Sequence, residues 1–148
     1  MDAKLFYDMH RERIIALISA IRDKANRFLL KRLDSHSIKD IAPAHGGIFV
    51  HLFRNTKLTM GEIVRLIDRE KSTVTTLVDK LVRLGYLERE KDVADNSVTK
   101  VRLTKKGKKL EADFGDISKQ LLDRAYAGFT EKEKDAIIRL LTRVNNNF

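Results

Sequence analysis

The chain has 148 residues, a formal net charge of +9 and no cysteine. Such a length supports one domain with a real core, and the cysteine count excludes disulfides, thiolate catalysis and cysteine-based redox sensing. No apolar run nears the roughly 20 residues of a membrane span and the amino-terminus has no secretory h-region. A cytoplasmic protein with no membrane partner is expected. The charge is uneven: Arg54 to Lys109 holds 15 Lys and Arg against 8 Asp and Glu, the remainder 15 against 13. A central excess of that kind is the electrostatic footprint of a phosphate-binding surface.

Residues 1–33 read as a long helix, with Ile14, Leu17, Ile18, Ile21, Ala25 and Phe28 at three- and four-residue spacing and Arg11, Arg22 and Arg27 outside that stripe. Phe6, Tyr7 and Met9 add apolar surface ahead of it. Asp34-Ser35-His36-Ser37 breaks the pattern, and Pro43 suits the first turn of a second helix running to about Phe53. Gly46 and Gly47 inside it should each cost about 1 kcal/mol relative to alanine, and close packing against a neighbouring helix is their expected reason.

Thr59 with Glu62 forms a capping box that opens a short helix striped by Ile63, Leu66 and Ile67. Asp68 to Lys71 then separates it from a helix capped by Ser72. Val74, Leu77, Val78, Leu81 and Val82 form its apolar face; Ser72, Thr76, Asp79 and Arg83 lie opposite, with Thr75 and Lys80 beside them. Two short helices around a tight turn, the second polar outside, make a helix-turn-helix. Gly85 suits a left-handed cap. Tyr86–Glu90 and Thr99–Thr104 alternate like strands around the polar loop Lys91–Val98, which gives a β-hairpin wing.

Thr104 caps the next helix, basic at Lys105, Lys106, Lys108 and Lys109 and striped by Leu110, Phe114, Ile117, Leu121 and Ala125. Gly128-Phe129 ends it. Thr130 with Glu133 is a second capping box, and Ile137, Leu140, Leu141 and Val144 stripe a final helix. The expected fold is mainly α with a small β-hairpin wing. Residues 34–109 would form a winged helix-turn-helix DNA-binding region, and 1–33 with 110–148 a helical dimerisation region, all one interlocked domain. The plainer alternative is that the end helices only cover the centre within one monomer.

Nothing points to an enzyme or a cofactor. His45 and His51 stand about 240° apart round a helix, so they share no face for a metal, and no GxSxG, Walker or HExxH motif occurs. Two functions remain: a DNA-binding regulator, or a winged-helix module that binds protein partners and no specific DNA. The charge map and the hydroxyl-rich outer face of Ser72–Arg83 favour the first.

Leu58-Thr59, Glu62-Ile63, Ser72-Thr73-Val74-Thr75, Leu77 to Leu81, Gly85 to Arg89, Asp92, Asp95 and Val101 to Gly107, in that order, resemble the MarR family of transcriptional regulators. The resemblance is dense from about 58 to 107 and looser over the rest. It implies a homodimeric winged helix-turn-helix repressor on a pseudo-palindromic double-stranded operator, released when a small aromatic or phenolic anion binds. Ser72, Thr73, Thr75, Thr76 and Lys80 would then read bases in the major groove, since hydroxyls suit either base edge, and Arg83 would hold phosphate. His45 and Phe49 would lie near the effector. Family members usually carry an arginine in the wing loop where this chain reads Asn96-Ser97. The tip should therefore add little minor-groove attraction, which leaves Arg89, Lys91, Lys100 and Arg102 as the cations of the wing.

Overall fold

The structure, a computed structural model, describes residues 10–148; the apolar residues Phe6, Tyr7 and Met9 lie outside them. Helix α1, Ile14–Ser35, ends two residues later than its apolar stripe suggests. Ser37 takes the left-handed conformation at φ 60°, Ile38 N–H donates to Leu33 O at 2.8 Å and Ser37 N–H to Asp34 O at 2.9 Å. This double closure stops the helix and sends Ile38 and Ile41 into the core.

Pro43 opens a short 3₁₀ turn, Pro43–His45, and helix α2 follows over Gly46–Arg54. The glycine pair divides in function. A Cβ on Gly47 would sit 3.2 Å from Ile67 Cγ2, whereas one on Gly46 would meet nothing within 4 Å. Gly47 therefore serves close helix packing, as expected from the sequence, and Gly46 does not.

Strand β1, Leu58–Thr59, leads into helix α3, Met60–Ile67, whose first turn is capped by the Thr59 hydroxyl accepting from Glu62 N–H at 3.1 Å. A turn through Asp68, at φ 50°, leads to helix α4, Lys71–Arg83. Ser72 is not its cap: Val74 N–H reaches Glu70 O at 3.1 Å, so Glu70 occupies that place with no side-chain bond. Gly85, at φ 81°, closes α4 with Tyr86 N–H on Leu81 O and Gly85 N–H on Val82 O, both at 3.0 Å.

Strands β2, Leu87–Lys91, and β3, Thr99–Leu103, form the hairpin. The small β1 pairs with β3, so the sheet has three antiparallel strands in the order β1-β3-β2. Helix α5, Lys105–Lys108, is a single turn capped by Thr104. A break at Lys109 and Leu110 separates it from helix α6, Glu111–Ala125, where one continuous helix was expected. Helix α7, Glu131–Asn145, begins at a complete capping box of Thr130 and Glu133.

The core lies between α2, α3, α4 and the sheet, and α6 closes it. Ile48, Phe49, Ile63, Val74, Val78, Leu81, Leu87 and Val101 are all fully enclosed. Phe49 anchors an aromatic group, 4.8 Å from Phe114, 5.8 Å from Tyr86 and 5.9 Å from Phe53. The end helices contrast with this. Leu17 is 55% exposed, Ile21 56%, Leu122 50% and Ile138 54%, and α7 has no buried residue. Leu33 of α1 and Phe114 and Ile117 of α6 join the core, but the rest of these stripes is left uncovered within the protomer.

Candidate nucleic-acid interface

Helix α4 buries Val74, Val78 and Leu81 and turns Ser72, Thr73, Thr76 and Arg83 to solvent, with Thr75 and Lys80 half-buried at the margins. Two of its hydroxyls are engaged along the helix. Thr75 Oγ1 donates to Lys71 O at 2.9 Å and Thr76 Oγ1 to Ser72 O at 3.1 Å. A shallow groove lined by Thr76, Asp79, Val82, Arg83 and Arg89 runs between α4 and the wing. It is bridged by an ion pair between Arg89 and Asp79.

The wing cations share that pattern. Arg102 Nε donates to Glu88 Oε1 at 2.5 Å and its Nη1 lies 3.8 Å from Glu90. Lys100 Nζ lies 2.8 Å from Asp92, and Lys57 pairs with Glu90. Strand register sets Glu88 opposite Arg102, which gives that pair; Lys100, opposite Glu90, reaches Asp92 instead. The hydrogen bond from Lys57 holds the Glu90 carboxyl below its ordinary range, and that from Lys100 does the same for Asp92. Of the four expected wing cations, Arg89, Lys100 and Arg102 are paired; Lys91 is exposed and joins no carboxylate among the described residues.

The wing tip is built from acids. Asp92 Oδ1 accepts from Ala94 N–H at 2.7 Å, and Asp95 Oδ1 accepts from Ser97 N–H at 3.0 Å and Ser97 Oγ at 2.6 Å. Asn96 is exposed, next to Asp95.

Sequence reasoning missed the clamp that sets α4 against the sheet. Thr104 Oγ1 donates to Gly85 O at 2.5 Å, and Lys106 Nζ donates to Leu84 O at 2.6 Å while lying 4.2 Å over the Tyr86 ring. Tyr86 OH donates to the Asp40 carboxylate at 2.9 and 3.0 Å. Two residues that follow the wing, Thr104 and Lys106, thus grip the end of α4. The signal was present in the adjacency of Thr104, Lys106 and Gly107, but their partners lie some twenty residues away.

Burial of the ring, with the hydrogen bond to Asp40 next, pushes the Tyr86 hydroxyl up to about 12. Because the folded value lies above the unfolded one near 10, this stabilisation is complete below pH 10 and is lost as pH rises through 12. Tyr86→Phe should cost about 1 kcal/mol at pH 7. The gap between parent and variant should narrow above pH 10, as followed by urea unfolding at the two pH values. A gap independent of pH would contradict the Tyr86–Asp40 account.

A second hollow, about 220 Å³, opens among α1, α2 and α6, with Leu33, Pro43, Gly46, Phe114 and Ile117 in its largely apolar wall. His45 and Phe49 do not line it. Phe49 is enclosed in the core, and His45 is only 2% exposed. Ala42 N–H donates to His45 Nδ1 at 3.1 Å, and the buried Nε2 has no hydrogen-bond partner among the described residues. Burial pushes the imidazole below its ordinary range, opposed by Ala42 O, which lies 3.2 Å from Nδ1 and favours a proton there, and the Lys80 charge adds to the lowering.

Among the described residues no helix is long and apolar enough to cross a membrane. Residues 39–96 match the MarR family. The chain is 27% identical over 124 residues to the uncharacterized HTH-type transcriptional regulator YybA of Bacillus subtilis (strain 168), covering 80% of this chain and 83% of that protein. The fold is that of a mutant MarR from E. coli complexed with operator DNA, at TM-score 0.75 and 22% identity over 87% of this chain and 91% of that one. It is also that of MepR from S. aureus in a DNA complex, at TM-score 0.80 and 22% identity over 91% and 98%. BpsR of Bordetella bronchiseptica, solved to explain regulation of its DNA binding by 6-hydroxynicotinic acid, matches at TM-score 0.79 and 18% identity over 90% and 94%. The chain thus shares the winged helix-turn-helix fold of these regulators, and its helix-turn-helix and the first strand of its wing fall within the stretch that matches the MarR family.

Proposed function

We propose that the protein is a homodimeric, cytoplasmic repressor that binds a pseudo-palindromic double-stranded operator through residues 34–109 and dimerises through 1–33 and 110–148. The observation that carries this reading is the outer face of α4, polar and rich in hydroxyls, with Arg83 on it and the wing residues Arg89 and Lys91 alongside. Ser72, Thr73, Thr75, Thr76 and Lys80 enter the major groove; Arg83, Arg89, Lys91, Lys100 and Arg102 meet phosphate; Asn96 stands at the wing tip. Two such helices fit half-sites about 34 Å apart. Thr76→Ala should lose about 1–3 kcal/mol of discrimination between operator and mutated sites, measured by fluorescence anisotropy on both duplexes. Equal weakening on operator and random DNA would remove Thr76 from the readers.

The exposed stripes of α1, α6 and α7 support the dimer, since contiguous apolar surface of this kind marks an interface. Light scattering at micromolar concentration should give twice the 17.1 kDa chain mass, and ending the chain after Phe129 should leave it aggregated or unfolded. A parent mass equal to one chain would refute the dimer. The effector, expected near His45 and Phe49, would instead enter the apolar hollow among α1, α2 and α6, whose wall includes Pro43 and Gly46 and whose small volume suits one aromatic ring. A neighbour whose DNA binding responds to 6-hydroxynicotinic acid supports an aromatic acid in that role. By linkage, a ligand that weakens DNA binding must bind the DNA complex more weakly than the free protein.

A further inference from the structure

We propose that Asn145, the last residue of α7, is a positioning residue for operator recognition, holding the turn of the helix-turn-helix at a fixed place relative to the dimer. The inference rests on the dimeric operator reading above. Asn145 Nδ2 donates to Asp68 Oδ2 at 2.8 Å across 77 residues of chain. Among the described residues it is the only hydrogen bond or ion pair between α7 and residues 34–109.

The place of the bond gives it leverage. Asp68 ends α3 in the left-handed conformation, at φ 50°, which aspartate tolerates better than most side chains. Lys71 begins α4 three residues later, so the turn sets the angle at which the hydroxyl face meets the groove. At the other end, α7 buries nothing within its own protomer and leaves Ile138, Leu140 and Leu141 exposed. In the proposed dimer those side chains take up the partner, which makes α7 part of the frame that spaces the two recognition helices. Elsewhere the end helices join the centre through apolar packing, with Leu33, Phe114 and Ile117 in the core. At the tip of α7 they join it through one directional, charge-assisted bond. Both its residues are exposed, so water competes for the bond and it adds little to stability. Its effect is on geometry. A turn held from two sides fixes the half-site separation, whereas a turn released from one lets α4 follow a misplaced groove.

The probe is the tightest duplex that the parent selects from random DNA, alongside the same duplex with one base pair inserted between its half-sites, about 3.4 Å longer. Fluorescence anisotropy should show the parent binding the lengthened duplex at least about tenfold more weakly, because DNA must deform to fit a rigid pair of helices. Asn145→Asp sets two carboxylates against each other. It should bind the native duplex about threefold more weakly, since fewer turns stand ready to bind, and its penalty for the insertion should shrink to about threefold. Adding Asp68→Asn to Asn145→Asp re-forms the bond with donor and acceptor exchanged and should restore the parent's discrimination. Asn147→Asp adds the same charge beyond the bond and should keep that discrimination. Light scattering should show every variant at the parent mass. Asn145→Asp matching Asn147→Asp on both duplexes would overturn the proposal, as would an exchanged pair that fails to rescue. An Asn145→Asp protein that scatters as a single chain would place Asn145 in the interface itself and likewise overturn it. A parent indifferent to the inserted base pair would instead remove the reading of two spaced half-sites, and the strap with it.

Discussion

Gly107→Ala should destabilise the protein by about 3 kcal/mol, the upper end of the usual cost of overpacking. A Cβ at this position would stand 2.3 Å from Tyr86 O and 2.9 Å from Leu103 Cδ2. The first contact is with backbone that already accepts Thr104 N–H at 3.0 Å and follows directly on the closure of α4. It cannot swing aside as a side chain would. For a chain of this size, 3 kcal/mol corresponds to a Tm lower by about 6–12 °C. Because the strain falls where α5 grips the end of α4, operator binding should fail at a lower temperature in the same proportion. Gly115→Ala is the control: its Cβ would meet nothing within 4 Å, and relief of glycine in a helix should raise stability by up to about 1 kcal/mol. Thermal unfolding of the three proteins decides it. A Gly107→Ala melt within about 2 °C of the parent would refute the steric account.

The second large effect concerns the wing. Glu88→Gln with Glu90→Gln should strengthen operator binding by tenfold or more at low salt and steepen its salt dependence. Both carboxylates sit on Arg102, and Glu90 also holds Lys57. A phosphate must displace them before it can use those cations. Exposed ion pairs are weak enough to exchange, so the parent still binds, but it gives up part of each phosphate contact. Each freed cation that reaches a phosphate adds about −0.9 to the log–log salt slope, and Arg102 alone, once per subunit, adds about −1.8 in a dimer. Asp135→Asn on α7 removes a negative charge far from the wing and should leave the slope unchanged. Affinity measured against salt for the three proteins separates pairing from net charge, since an equal gain from Asp135→Asn would show that only total charge matters.

What could be read beforehand was local. The stripe of Val74, Val78 and Leu81, the box at Thr130 and the turn at Gly85 depend on spacings of a few residues and form as expected, while of the box expected at Thr59 only the Thr59 hydroxyl bond to Glu62 N–H forms. What could not be read depends on register or distance. Strand β1 is two residues long and has no period to detect. The ion pairs of Arg102 and Lys100 need Glu88 and Asp92 brought across the hairpin, and the sequence alone gives those residues only as separate charges. Ser72 looked like a cap because its residue type suits one, yet the turn from Asp68 is short enough for Glu70 to take the place. The break at Lys109 and Leu110 carries neither glycine nor proline to announce it. At the interface, the residue types on α4 were legible, whereas their engagement was not: Arg89 and Asp79 are ten residues apart and meet only because β2 folds back along the helix.

The threonine hydroxyls of α4 also have a polarity. With the Thr75 proton on Lys71 O and the Thr76 proton on Ser72 O, both oxygens offer only lone pairs outward. The reading expected from composition, either base edge, narrows accordingly. In a major groove the partners for such acceptors are the amino groups of adenine N6 and cytosine N4, while guanine O6 and thymine O4 require a donor such as Lys80. If α4 enters the major groove as proposed, it would divide its alphabet by position, acceptors along the threonine ridge and a donor at its margin. A half-site that presents amino groups to that ridge and a carbonyl edge to Lys80 is the one its stereochemistry fits.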